Sequence, residues 1–390
     1  MAVYNTLYSI PYLIVFFLFV TIGIGFSNSK YYLKEVRILD KELRFIILIF
    51  IFIFFIGLRG YILTDWINYC DFYDKLPKIY EVRNLFITLK GLQFEPGFIL
   101  LSSILKTFSF NYFNWQLNCV LIDFFVISYF FKKNVPYYYF LGFLFFFCFG
   151  GIPLEFNLLR NSKSIMCFLL SYQYINGNKR KYFLWNIIGC TFHVSSLIYI
   201  VMYPFMIRKY NKVFILGIYF LGNLFFIFHI KWLRLILESI FSRLPELSIF
   251  VRLLGYTKSS PSLISFGYLK RNLEFLFIFF IGRRYLDYKE NVFLYNSFFV
   301  YHIIYLTFYE MLVFVERLPI LFIFSYWLLF PKIIKKMNLN NKKTFLFIFV
   351  VILSLYFYTG FSNILYYYDN ALFNPYNRVD RFLFFEMYYN

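Results

Sequence analysis

Six ionisable residues stand at or inside the ends of long apolar stretches: Arg59, Asp65, Glu95, Arg160, His193 and Arg317. A charge at membrane depth costs about 2.5–3.5 kcal/mol on insertion scales, so residues placed this way are functional candidates by default. Arg160 opens an apolar segment as Leu159-Arg160-Asn161-Ser162, just after the break Gly150-Gly151-Ile152-Pro153. A cation at a helix start opposes the macrodipole, so something else should hold it there. Its guanidinium offers a planar fork of donors suited to phosphate oxygens. The plain alternative is an arginine that snorkels to the interface.

His193 lies mid-segment among small hydroxyl residues, in Cys190-Thr191-Phe192-His193-Val194-Ser195-Ser196. A buried neutral imidazole bonded to a helix carbonyl is the bland account. The chemical one is a general base or a group that orients a pyrophosphate, because His titrates near working pH. His229 and His302 lack such surroundings and read as structural. Glu95 sits in Phe94-Glu95-Pro96-Gly97-Phe98. It is either a helix-start carboxylate facing the positive dipole end or an acid/base group held at the membrane surface. The four-residue spacing of Asp65, Tyr69 and Tyr73 puts them on one face of a helix. Tyr rings with a carboxylate suit a sugar, the ring stacking on its apolar face while the acid accepts from hydroxyls; an interfacial aromatic belt is the alternative. Arg271, Glu310, Glu316 and Arg317 stand where later segments turn outward, as salt bridges or as a second phosphate clamp.

The elements that must position these groups follow from composition. Hydrophobic residues make up 61% of the chain, charged ones 15%, and Phe fills 60 of 390 positions. A water-soluble domain cannot hide that much apolar surface, whereas lipid accepts it. The fold class is therefore an all-α integral membrane protein. A net charge of +19 raises nucleic acid as a partner. The bases, however, lie in short links between apolar segments, the pattern of topology signals beside anionic lipid, and a nucleic-acid partner is not expected. Five cysteines form no CxxC pair and make no case for a disulfide framework or a metal site, and no cofactor is implied. The first apolar stretch, Ile10 to Phe26, has no basic region before it and no small-residue cleavage site after it; it reads as a retained anchor.

Probable spans run at about 4–26, 44–58, 97–110, 114–131, 136–152, 157–176, 182–206, 212–229, 272–286, 291–311, 318–337 and 343–361. Basic clusters at Lys30–Arg44, Lys132-Lys133, Lys179–Lys181, Arg283–Lys289 and Lys332–Lys343 read as cytoplasmic. Twelve full crossings would put two of those clusters outside. The conflict disappears if 97–110 is a short re-entrant piece and 182–206 is broken into two half-helices, which leaves about ten crossings. The chain then reads as one polytopic domain, 1–390. Outer loops lie at 59–96 and 230–271, the latter with a helical stretch WLRLILESIF, and an outer tail at 362–390.

The order Arg59-Gly60, Asp65, Tyr69, Tyr73, then Glu95-Pro96-Gly97, Arg160 and Phe192-His193-x-Ser195 resembles the EpsG/Wzy-type family of bacterial polysaccharide polymerases. The likeness spans roughly residues 40–210, with support from Arg317 and Asn374-Pro375-Tyr376. Where that family usually has Arg followed by Gln and small residues, Asn161, Ser162, Lys163 and Ser164 stand here. The resemblance implies a metal-independent, GT-C-like membrane glycosyltransferase with about 10–12 transmembrane helices in the bacterial cytoplasmic membrane, its active site facing outward. It would join undecaprenyl-pyrophosphate-linked repeat units, donor and acceptor, into O-antigen or a related polysaccharide of the lipopolysaccharide type, with a chain-length regulator as a further partner. The implied catalytic residues are Arg160, His193 and Glu95, with Arg59, Asp65, Tyr69, Tyr73, Arg271 and Arg317 binding substrate. Competing readings are a lipid-linked oligosaccharide flippase, an O-antigen ligase and a membrane acyltransferase. A flippase would usually show two related halves, which the sequence does not, and a catalytic His inside a span fits an acyltransferase poorly.

Overall fold

The computed structural model of the chain describes residues 4–25, 34–81, 91–92, 94–241, 266–310, 315, 317–373 and 376–389. In chain order the helices are α1 (Ile10–Gly25), α2 (Lys34–Phe50), α3 (Trp66–Lys75), α4 (Pro96–Thr107), α5 (Tyr112–Asn134) and α6 (Tyr139–Phe146). They continue with α7 (Ile152–Phe156), α8 (Leu159–Ser171), α9 (Lys179–Phe192), α10 (Leu197–Met206), α11 (Lys212–Ile227) and α12 (Trp232–Phe241). The last are α13 (Phe266–Leu276), α14 (Val292–Thr307), α15 (Phe324–Lys336), α16 (Leu339–Gly360) and α17 (Arg378–Tyr389). Among the described residues there is no strand, only isolated bridges at Tyr4–Asn363 and Arg59–Asn370. The protein is an all-α membrane protein.

Every apolar segment read from the sequence carries helix. Four are long and apolar enough to cross a bilayer by length and composition: Thr6–Ile24, Tyr112–Asn134, Tyr139–Phe156 and Leu339–Gly360. The chain's many asparagines start the helices: Asn111, Asn178, Asn211 and Asn338 each accept a first-turn N–H, from Asn114, Lys181, Phe214 and Asn341. α4 has 12 residues; at about 1.5 Å per residue it is too short for a hydrocarbon core of about 30 Å. The segment at 182–206 does break into two helices, α9 and α10, parted by His193 in extended conformation. Between α6 and α7 the chain kinks at Gly150, whose φ of 88° suits glycine.

The chain forms two compact units, residues 1–200 with 338–390, and residues 201–337. In the first, α2 winds on through a π-helical stretch, Ile51–Gly57, to the loop carrying Arg59. The C-terminal segment pairs with that loop as a strap: Gly60 N–H donates to Asp369 O, Ala371 N–H to Leu58 O and Leu63 N–H to Leu365 O. Arg378 then reaches Asp74 at 2.9 Å and also pairs with Asp71, both on α3. Beneath α3 lies an aromatic cluster of Trp66, Tyr69, Phe72, Phe98, Tyr112 and Trp115.

In the second unit α11, α13, α14 and α15 hold the core, with the Tyr219 and Phe275 rings stacked at 3.5 Å. The predicted helical stretch WLRLILESIF forms as α12, and Glu310 caps it by accepting the N–H groups of Leu233 (2.7 Å) and Arg234 (3.2 Å). Glu310 therefore acts as a helix cap. Glu316, Asn374, Pro375 and the whole 242–265 stretch lie outside the described residues. His302 is a core histidine, its Nδ1 2.9 Å from Phe298 O and its Nε2 3.2 Å from the Tyr326 hydroxyl.

Candidate active site

The first unit brings together five of the residues singled out in the sequence, from elements far apart along the chain. Glu95 stands just ahead of α4, where Pro96 fixes the first helical φ, but its carboxylate caps no N–H of that helix. It turns instead to Arg160, in the first turn of α8, and accepts from Nη1 at 2.8 Å. This answers why a cation tolerates a helix start: a carboxylate 65 residues away compensates it. The guanidinium lies over Phe94, 4.5 Å from the ring centre, and its Nε has no partner among the described residues. Both side chains keep about a fifth of their surface open, 23% for Arg160 and 20% for Glu95.

Tyr69 joins them from α3, its hydroxyl accepting the Arg160 backbone N–H at 3.4 Å. Burial pushes its phenol up to about 12, so it keeps its proton at working pH. Asn157, just before α8, accepts from the backbone N–H of Asp65 (2.8 Å) and of Thr64 (3.2 Å), fixing half-buried Asp65 beside the same helix start.

His193 closes the group from the break between α9 and α10. Its Nδ1 lies 2.6 Å from Ser195 Oγ and accepts the Ser195 backbone N–H at 3.2 Å. Asn161, next to Arg160, donates to Ser195 Oγ at 3.4 Å and so ties the two segments. A Cβ at position 97 would strike the Thr191 side chain, so only glycine lets the start of α4 press against the end of α9.

Two expected ligands are placed elsewhere. Arg59 is 1% exposed. Its Nη1 donates to Ile56 O (2.6 Å), Nη2 to Phe156 O (3.4 Å), and the fork stacks on the Phe156 ring. Two of its donors thus join the π-helical stretch after α2 to α7. Tyr73 shares a face with Tyr69 but turns into the aromatic cluster, against Trp115 and beneath Lys106. Arg271 and Arg317 belong to the second unit. The Arg271 guanidinium lies 4.1 Å from the Tyr305 ring centre and donates to Gly267 O, while Arg317 is half-buried two residues before Pro319.

Sequence reasoning passed over a second charged cluster, one helical turn further along α8. Lys163 donates to Asp123 Oδ2 (2.5 Å) and to Cys119 O (2.8 Å). Ser162 lies 2.8 Å from the same Asp123 oxygen and 3.2 Å from Glu155. All four side chains are essentially buried. The signal was there: Asp123, Glu155 and Lys163 are ionisable residues inside apolar segments, and buried charges seek partners. The cluster also explains the departure after Arg160, because Ser162 and Lys163 are the residues that bond to α5 and α7.

Comparison with known proteins adds one finding. No curated protein and no solved structure matches the chain. The family model of the EpsG family matches residues 42–378, a stretch that holds every group described above. The chain thus belongs to the EpsG family and is a membrane protein of the polysaccharide-polymerase, glycosyltransferase-like class.

Proposed function

We propose that the protein polymerises lipid-linked oligosaccharide repeats, transferring a growing glycan from undecaprenyl pyrophosphate to the next lipid-linked unit on the outer face of the bacterial cytoplasmic membrane. The product in this reading is O-antigen or a related surface polysaccharide. The scaffold is GT-C-like with about ten crossings, and a chain-length regulator is a further partner. The observation that carries the proposal is the partly open Glu95–Arg160 pair beside the His193–Ser195 turn.

In the reaction an acceptor hydroxyl oxygen attacks the donor's anomeric carbon, and the bond from that carbon to the pyrophosphate oxygen breaks. The electron pair leaves on the pyrophosphate and the hydroxyl proton passes to a base. Arg160 meets the leaving group; its fork matches phosphate oxygens and supplies positive charge where negative charge develops. A dianionic group competes with Glu95 for that fork, so binding the donor frees a carboxylate at the moment a base is needed. Glu95 then takes the proton, with His193 the alternative base. Asp65 and Tyr69 orient sugar hydroxyls. Holding two lipid-anchored substrates in register supplies much of the rate.

The test is removal of the chain from its host, followed by electrophoresis of the surface glycan with and without a plasmid copy. A ladder of repeats that collapses to a core bearing one unit, and returns with the plasmid, is the expected result. Loss of every repeat unit would point to a flippase or ligase, and an unchanged ladder would sink the glycan-assembly reading.

A further inference from the structure

A separate cavity of about 690 Å³ opens in the second unit and is lined by Lys212, Arg283, Arg284, Lys289 and Lys336. Asp287 and Glu290 line it too, yet among the described residues none of the five bases forms an ion pair with either. The Asp287 carboxylate is occupied locally, accepting the Lys289 backbone N–H at 2.6 Å. Arg283 is the most informative member. Its guanidinium is pressed between rings, 4.1 Å from the centre of Tyr288 and 4.8 Å from that of Phe279, and its buried Nε and Nη1 have no hydrogen-bond partner among the described residues. A half-buried guanidinium with unmet donors is costly unless an anion completes it. The N-terminal end of α11, at Asn211 and Lys212, also lines the cavity and brings the positive end of a 16-residue helix to the same place.

We infer that this cavity binds the phosphate group of an anionic membrane lipid. Apolar side chains flank the bases along the chain: Phe280 and Ile281 just before Arg283, Val213 and Phe214 just after Lys212, all exposed. A basic cavity edged by exposed apolar surface matches an anionic headgroup with its acyl chains, and basic pockets at the ends of spans are suited to such lipids. A soluble phosphate compound shares the headgroup chemistry but would leave that apolar rim uncovered. The site is independent of the Glu95–Arg160 chemistry.

The experiment uses the full-length protein in uncharged detergent, titrated with a fluorescent short-chain phosphatidylglycerol, with phosphatidylcholine as the neutral control. Saturable binding of phosphatidylglycerol alone is expected, weakened about tenfold or more by Arg283→Gln with Lys212→Gln. Arg284→Gln, an exposed change that should not disturb folding, should weaken it less. The control pair Lys179→Gln with Arg180→Gln, in the first unit, should leave it unchanged. Equal weakening by the control pair, or no dependence on Arg283, Lys212 and Arg284, would overturn the site. Displacement of the lipid by millimolar inorganic phosphate, lost in the same variants, would keep the phosphate site and reassign it to a soluble phosphate compound. Failure of phosphate to displace it would keep the lipid.

Discussion

Helix α8 carries two cations three positions apart, and each meets a carboxylate from another helix or its approach. Arg160 meets Glu95 at 2.8 Å and Lys163 meets Asp123 at 2.5 Å. Their surroundings differ. The first pair keeps 23% and 20% of its side-chain surface open, the second 3% and 0%. The open pair can exchange its partner for an incoming anion. The closed pair cannot, and its oxygens and ammonium hold α8 against α5. Breaking it leaves a charge uncompensated away from water, which costs far more than the pair contributes when intact. One helix thus carries the same kind of charge pair twice, one partly open and, in the proposed mechanism, reactive, the other closed and holding the helix in place.

The largest effect that could sharpen this contrast is on the closed pair. Asp123→Ala should destabilise the protein by about 3–5 kcal/mol, because Lys163 is left alone in the interior; thermal unfolding in detergent would read it. Pairing Asp123→Leu with Lys163→Met should recover most of that loss. If it does not, the cluster has a role beyond fixing α8. Next in size, Arg160→Ala should leave stability and protein level near wild type and lower polymer yield by about 10²–10³-fold, the range for losing a donor to developing charge. Normal polymer from that variant at equal level would remove Arg160 from the reaction. Glu95→Gln keeps the shape and a hydrogen bond to Arg160 but cannot take a proton, and should cost about a hundredfold in yield. A much smaller loss would make Glu95 only a counter-ion and shift the base to His193. The smallest effect belongs to Arg378, an exposed partner of Asp71 and Asp74. Arg378→Ala should cost about 0.2–1 kcal/mol, measured as a shift in unfolding midpoint.

Much of the site was legible because charge inside an apolar sequence is conspicuous. Glu95, Arg160 and His193 stood out by type and place, and four-residue spacing correctly put Tyr69 and Tyr73 on one helical face. What spacing could not reveal is which side of that face is covered. Tyr69 touches the Arg160 backbone while Tyr73 is packed under Lys106. Asn157 and Asn161 were passed over because a lone Asn is common at any helix start; only their partners, Asp65 and Ser195, mark them.

The amino-acid sequence by itself determined the material and its local form. Apolar surface on this scale requires lipid, backbone groups in lipid require helices, and asparagine sets where many of those helices begin. It also determined which few residues carry charge. The tertiary structure alone decided what each charge does. Arg59 and Arg160 both look like outward arginines at segment ends, yet one joins two helices and the other faces a carboxylate across a partly open site. The difference comes from residues some three hundred positions away: the strap at 365–371 pairs with 58–63 and helps close that loop against Arg59, whereas Arg160 keeps its surface open. Burial is a property of what packs on top of a residue, and no window of sequence around it contains that information.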